Sequence, residues 1–243
     1  MELHLINPNT SQLMTQKISE SAQSVALPDT NVIAVSATHG PASIESAFDD
    51  VIAGAALLDA IRLGELQDVD AHIIACFGDP ALDAARELAS VPVIGIAEAA
   101  FQLASLVSYR FGIVTTMQKT LPASEHLLKR YGYEHLCSGV RATNIAVLNF
   151  EDLQEDVYIR LKSECEKAIL LDGAEAIVLG CAGMSKLAHQ LTLELDVPVI
   201  DGVTAAVKLA ESLYQLNLNT SKKGLYSSPL PKYFRGRYEH WSA

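Results

Sequence analysis

The sequence contains no C-x-x-C pair and no two histidines at the helical spacing of metal ligands. It also has no uninterrupted apolar run of the roughly 18–20 residues that cross a bilayer. The first two absences argue against zinc fingers, dithiol redox centres and helical metal sites, and the third against a membrane span. Neither a G-x-S-x-G nor a Walker motif is present. Positive charge is scarce: 18 Lys and Arg stand against 29 Asp and Glu, a formal net charge of -11. Such a surface repels nucleic acid and anionic membranes. The opening MELHLINPNT lacks a basic stretch followed by an apolar run and reads as a strand, so a cytoplasmic location is expected. Four cysteines, at 76, 137, 165 and 181, are expected as free thiols in a reducing compartment.

What is present is apolar material, 49% of 243 residues with 19% charged, enough for a sizeable core. Strands are predicted at 2–8, 31–37, 72–77, 92–97, 111–116, 176–181 and 198–202. Ala/Leu/Glu-rich helices are predicted at 11–26, at 43–63 and from about 80. Strands alternating with helices predict an α/β fold with mostly parallel sheets. The strands are almost wholly apolar, as when helices cover both faces of a sheet.

The chain also repeats itself. VDAHIIACFGDPAL (69–82) resembles GAEAIVLGCAGMSKL (173–187), and VPVIGIAEAA (91–100) is a near copy of VPVIDGVTAA (197–206). The two cysteines lie 105 residues apart and the VPVI strings 106 apart. HLIN (4–7) and GIVT (112–115) form a third pair at offset 108. This predicts two similar Rossmann-like halves related by pseudo-two-fold symmetry. One comprises 1–97 with 208–243, and the other 98–207. Parallel sheets bind ligands at the carboxyl ends of their strands. Asn7, Cys76, Thr115 and Cys181 are placed at such ends, so each half is expected to deliver one thiol to a cleft between them.

Two opposed thiols suit racemisation. One, as thiolate, removes a proton from one face of a carbon; the other returns a proton to the opposite face; the roles swap with the hand of the substrate. Each cysteine precedes a Gly turn and a predicted helix, so backbone amides are expected to favour the thiolate. The amides around Phe77–Gly78 and Ala182–Gly183 are candidates for holding a carbonyl oxygen that gains charge. Asp79 opposes a thiolate unless, as expected, it points away and caps the helix opening at Pro80. Cys137 and Cys165 read as core residues.

At these residues the sequence resembles the hydantoin racemase family of the aspartate/glutamate racemase superfamily, with allantoin racemases close by. The resemblance is carried by INPNTS (6–11), GPASIES (40–46), IACFGDPAL (74–82), VPVIGIAEAA (91–100), VTT (114–116), IVLGCAGM (177–184) and VPVIDGVTAAVK (197–208). It implies two catalytic cysteines, Cys76 and Cys181, and no metal, pyridoxal phosphate or other cofactor. Asn7 stands where amino-acid racemases of the superfamily carry an acid, which suggests a small neutral cyclic amide as substrate. Arylmalonate decarboxylases look similar but keep only one of the two cysteines.

Further substrate contacts are expected from Asn7 and Asn9, from Gly40, Pro41 and Ile44 in the loop after the second strand, and from Thr115 and Thr116. Each has a plainer alternative as a turn former or cap. His39 adjoins the 40–45 loop and reads as a loop residue, and Asp201 as a helix cap. The tail 224–241, rich in Pro, aromatic and basic residues, is expected to pack on a neighbouring subunit of a homo-oligomer. The expected activity is cofactor-free racemisation at C5 of 5-substituted hydantoins, allantoin included. The alternatives are an amino-acid racemase or maleate-type isomerase, and a non-catalytic two-lobed binding protein.

Overall fold

A computed structural model describes residues 1–152 and 154–242. The chain runs β1 (Glu2–Asn7), α1 (Gln12–Val25), β2 (Asn31–Ser36), α2 (Ala47–Glu65), β3 (Ala71–Ile74), α3 (Leu82–Leu88), β4 (Val93–Gly95) and α4 (Ile96–Val107). It continues with β5 (Phe111–Thr115), α5 (Leu121–Tyr131), β6 (Cys137–Ala142), α6 (Glu155–Asp172), β7 (Ala176–Leu179), α7 (Ala188–Leu195), β8 (Val199–Asp201) and α8 (Gly202–Gln215). The strands form two four-stranded, all-parallel sheets in matching order, β2-β1-β3-β4 and β6-β5-β7-β8. The predicted α/β architecture of two similar halves is therefore observed. Among the described residues no helix is long and apolar enough to cross a membrane.

Both faces of each sheet are covered, which is why the strands are apolar throughout. On the first sheet Leu3, Leu5 and Ile73 pack towards α1 and α8, and Ile6 and Ile74 towards α2 and α3. On the second sheet Ile177 and Leu179 pack towards α6 and α7, and Phe111, Ile113 and Val178 towards α4 and α5. Two helices thus cross over. α4 follows a first-sheet strand, yet Ala97, Ala100, Phe101 and Ala104 sit in the core of the second sheet. α8 follows a second-sheet strand, yet Val203, Ala206, Val207 and Ala210 sit in the core of the first.

Several elements depart from the sequence expectation. β6 was not predicted: CSGVRA is an edge strand, half-buried over most of its length, and lacks the apolar run that marks the others. The strand predicted at 92–97 ends at Gly95, and Ile96 already begins α4. Cys76 and Cys181 lie two residues beyond β3 and β7, in the loops that follow. The tail contacts this chain's own first half. Tyr226 Oη donates to Asp83 Oδ1 (3.3 Å), and the Arg62 guanidinium lies 5.5 Å from the Trp241 ring centre.

The crossing helices meet at their first turns. A Cβ added to Gly202 would lie 2.3 Å from the Ile96 carbonyl oxygen, a backbone atom that cannot swing aside. Only glycine permits this approach. Gly202→Ala is expected to destabilise the fold by about 1–3 kcal/mol through overpacking. This is read as a lower urea midpoint with an unchanged m-value; an unaltered midpoint would mean that the two helices part freely.

Candidate active site

The carboxyl ends of the two sheets face one another across a cavity of about 450 Å³. Cys76 and Cys181 both line it, one from each half. Each lies on a loop anchored in the opposite half. Beside Cys76, the Phe77 ring stands edge-on to Phe101 of α4 at 5.7 Å. The buried Asp79 carboxylate then accepts hydrogen bonds from the α4 amides of Ala97 (3.1 Å) and Glu98 (3.0 Å) and from Tyr131 Oη of α5 (2.8 Å). Beside Cys181, Ala182 belongs to the first-half core. A Cβ on Gly183 would come within 3.1 Å of Met14 Sδ on α1.

Asp79 caps a helix, but that helix is α4 and not one opening at Pro80. α3 starts only at Leu82 and has no side-chain cap. The geometry explains why: a Cβ at Gly95, the residue before α4, would fall 2.3 Å from the Asp79 carboxyl carbon. The second half solves the same problem differently. Asp201, just before α8, caps it directly through Val203 N (2.9 Å) and Thr204 N (3.0 Å), and Met184 fills the position that matches Asp79. Burial raises the Asp79 carboxyl to about 6 against the pull of its three donors.

The thiol acidities correct one sequence expectation. The backbone amide of Gly78 favours the Cys76 thiolate and that of Gly183 the Cys181 thiolate. Burial outweighs both. It pushes Cys181 up to about 11, with Glu45 adding to the rise. Cys76 rises further, with Asp50, Cys181 and Asp79 acting in the same direction as burial. On the first side α3 begins only at Leu82, well past the sulfur; on the second a short 3-10 helix opens at Ala182 directly after Cys181, and burial still outweighs it.

Of the other predicted contacts, Asn7, Asn9, Ile44, Phe77, Gly78, Thr115, Thr116, Ala182 and Gly183 line the cavity, and Gly40 and Pro41 do not. Pro41 braces the site from outside, its carbonyl accepting from Thr10 N at 3.0 Å. Asn7 is occupied with its own turn: Nδ2 donates to Asn9 Oδ1 (2.8 Å), Ser11 O (3.2 Å) and Thr15 Oγ1 (2.9 Å). Thr115 Oγ1 donates to the Gly180 carbonyl at 3.2 Å. His39 faces Asp59 at 3.7 Å, away from the cavity. Cys165 is fully buried in the core, and Cys137 donates weakly to the Gly139 carbonyl.

Several lining residues were not singled out from the sequence. α1 contributes Met14 and Ile18, α2 contributes Asp50, and the α5 side contributes Lys119, His126 and Arg130 at the rim. Cations therefore stand at the mouth of the cavity despite their overall scarcity. Arg130 there is paired with Asp83 at 2.7 Å. A helical repeat marks which residues face inward but not which of them face a cavity instead of a core, so no local signal separated these residues.

Comparison with known proteins places this arrangement. The chain is 48% identical to a hydantoin racemase of Rhizobium meliloti over 229 residues, covering 94% of this chain and 95% of that one. It is 44% identical to a hydantoin racemase of Pseudomonas sp. (strain NS671) over 241 residues, 99% and 97% of the two chains. Its fold matches the solved allantoin racemase from Klebsiella pneumoniae with a TM-score of 0.97 and 48% identity, over 100% of this chain and 99% of the other. The family model for Asp/Glu/Hydantoin racemase matches residues 3–210, which takes in both cysteine loops and both sheets, and this chain belongs to that family.

Proposed function

We propose that the protein racemises 5-substituted hydantoins, allantoin among them, by proton transfer at C5 between Cys76 and Cys181, without a metal or organic cofactor. The observation that carries this reading is the presence of two cysteines on equivalent loops of two similar halves, both lining one cavity. Equivalent loops approach a bound ring from opposite sides, which is what inversion requires. The C5 proton lies next to a carbonyl, so its removal gives an enolate that nearby amides stabilise. One thiolate takes the proton and the opposing thiol supplies another, so no redox or electrophilic group is needed. The hydantoin and allantoin racemases resembled at 44–48% identity support the substrate class.

The division into halves 1–97 with 208–243 and 98–207 is part of the same proposal, supported by α4 and α8 crossing between sheets. So are a cytoplasmic setting, which suits four free thiols, and assembly as a homo-oligomer, supported by exposed Leu225, Leu230 and Tyr233 on the tail.

Pure enantiomers of several hydantoins and of allantoin, followed by polarimetry with chelator-dialysed enzyme, test the function. Optical rotation should decay to zero with no change in composition. Faster racemisation of free aspartate or glutamate, or activity restored only by an added metal, would overturn it. Cys76→Ser and Cys181→Ser should each lower racemisation by about 10²–10⁴-fold, since a serine oxygen is a poor base at neutral pH. Each variant should still exchange the C5 proton for deuterium in one enantiomer, and the two should choose opposite enantiomers. NMR loss of the C5 signal in deuterium oxide reads this out; exchange of the same enantiomer by both variants excludes the two-thiol mechanism.

The acidities set a pH dependence. A raised pKa favours the neutral thiol, so the thiolate is the minor form and grows as pH rises. With Cys181 near 11, roughly one thiol in 10⁴ is ionised at pH 7 in the empty site. Alkylation of Cys181 by iodoacetamide, measured by mass spectrometry in Cys76→Ser, should accelerate about tenfold per pH unit from 7 to 9. A plateau within that window would show that the site stabilises the thiolate after all.

A further inference from the structure

α2 opens with two successive acids, and only one is used by the helix. Asp49 joins Ser46 in a reciprocal cap: Ser46 Oγ accepts from Asp49 N at 3.2 Å, and Asp49 Oδ2 accepts from Ser46 Oγ at 2.8 Å and from Glu45 N at 3.1 Å. Asp50 has no such duty. It is half-buried, lines the cavity, and among the described residues accepts no hydrogen bond. Burial alone accounts for the rise in its pKa, with no cation offsetting it. It lies beside the reacting sulfur: a Cβ built on Gly78 would be 3.0 Å from Asp50 Oδ1 and 3.8 Å from Cys76 Sγ. The space that a Gly78 side chain would fill thus borders both the carboxylate and the thiol.

An unpaired carboxylate on a cavity wall is tolerable while water fills the cavity. Once a ligand displaces that water, the oxygens need a donor from the ligand, because an unsatisfied buried charge is costly. We propose that Asp50 is a substrate-binding residue that accepts a ring N–H and fixes the ring so that its reacting carbon faces Cys76. This deepens the hydantoin reading and rests on it. A hydantoin carries N–H donors within the same small ring as C5, so one contact both selects an unsubstituted ring nitrogen and sets the angle of the C–H bond. Asn7, the neutral residue at the end of β1, does not compete for this role, since its amide is held by Asn9, Ser11 and Thr15.

The test compares a 5-benzylhydantoin with its N1-methyl and N3-methyl derivatives on wild type, Asp50→Asn and Asp50→Glu. Circular dichroism and the urea midpoint confirm that the variants fold. Asp50→Asn exchanges a charged acceptor for a neutral and weaker amide oxygen, so it should lower kcat/KM by about 10-fold on the unmethylated ring, mainly in KM. Methylating the contacted nitrogen should cost wild type the same factor and cost Asp50→Asn less than about threefold, the non-additivity expected of two partners in one contact. Asp50→Glu, which keeps the charged acceptor, should recover part of the loss. If Asp50→Asn loses equally on all three rings, the carboxylate acts only on the Cys76 acidity and the proposal is wrong. It is equally wrong if Asp50→Asn keeps full kcat/KM. If wild type racemises none of the hydantoins, the functional reading fails and this inference falls with it.

Discussion

Each cysteine loop is held by the half to which it does not belong, and the cavity exists because of that reciprocity. Phe77 and Asp79, flanking Cys76 and Gly78, are fixed by α4 and α5. Ala182 and Gly183, following Cys181, rest on the first-half core and on Met14. The crossing of α4 and α8, with Gly202 against the Ile96 carbonyl, brings the carboxyl ends of the sheets close enough for this bracing. A shift of one half against the other would therefore move both sulfurs together. Proton transfer depends on donor–carbon distances to within a fraction of an ångström, so such coupling suits the proposed chemistry.

The two sulfurs sit in a setting that opposes their own ionisation. Burial raises both, and the acids Asp50 and Glu45 add to it on the Cys76 and Cys181 sides respectively. Only two amides, those of Gly78 and Gly183, pull the other way. In the proposed mechanism this keeps the pair mostly protonated in the free protein. A thiolate that forms is correspondingly basic, which helps in abstracting a carbon-bound proton.

The pseudo-symmetry is broken where the halves solve the same problem with different residues. Helix α4 is capped from a distance by Asp79 across the space left open by Gly95, whereas α8 is capped by its own preceding Asp201. At the ends of the matching strands β1 and β5, Asn7 shapes a turn and Thr115 bonds to a neighbouring strand. The unpartnered acid Asp50 stands on the first-half side. In the proposed mechanism, two similar thiols on two dissimilar walls let a ring be held in one orientation with a base on either face.

Much of this was legible in the sequence by itself. The strand–helix alternation, the doubled VPVI and Cys-x-Gly strings and the 105-residue spacing determined two like parallel α/β halves, and they placed Cys76 and Cys181 at equivalent points. Apolar periodicity and internal repeats are local or one-dimensional, so the chain itself displays them. What the tertiary structure decided was which sheet α4 and α8 cover, that Asp79 caps a helix begun 17 residues later, and that Asp50 rather than Gly40 or Pro41 faces the cavity. It also decided the direction in which the thiol acidities move. These depend on where surfaces meet across long separations and on how much water is excluded there. Neither is written in the order of neighbouring residues, because an alanine face that crosses to another sheet has the same pattern as one that stays at home.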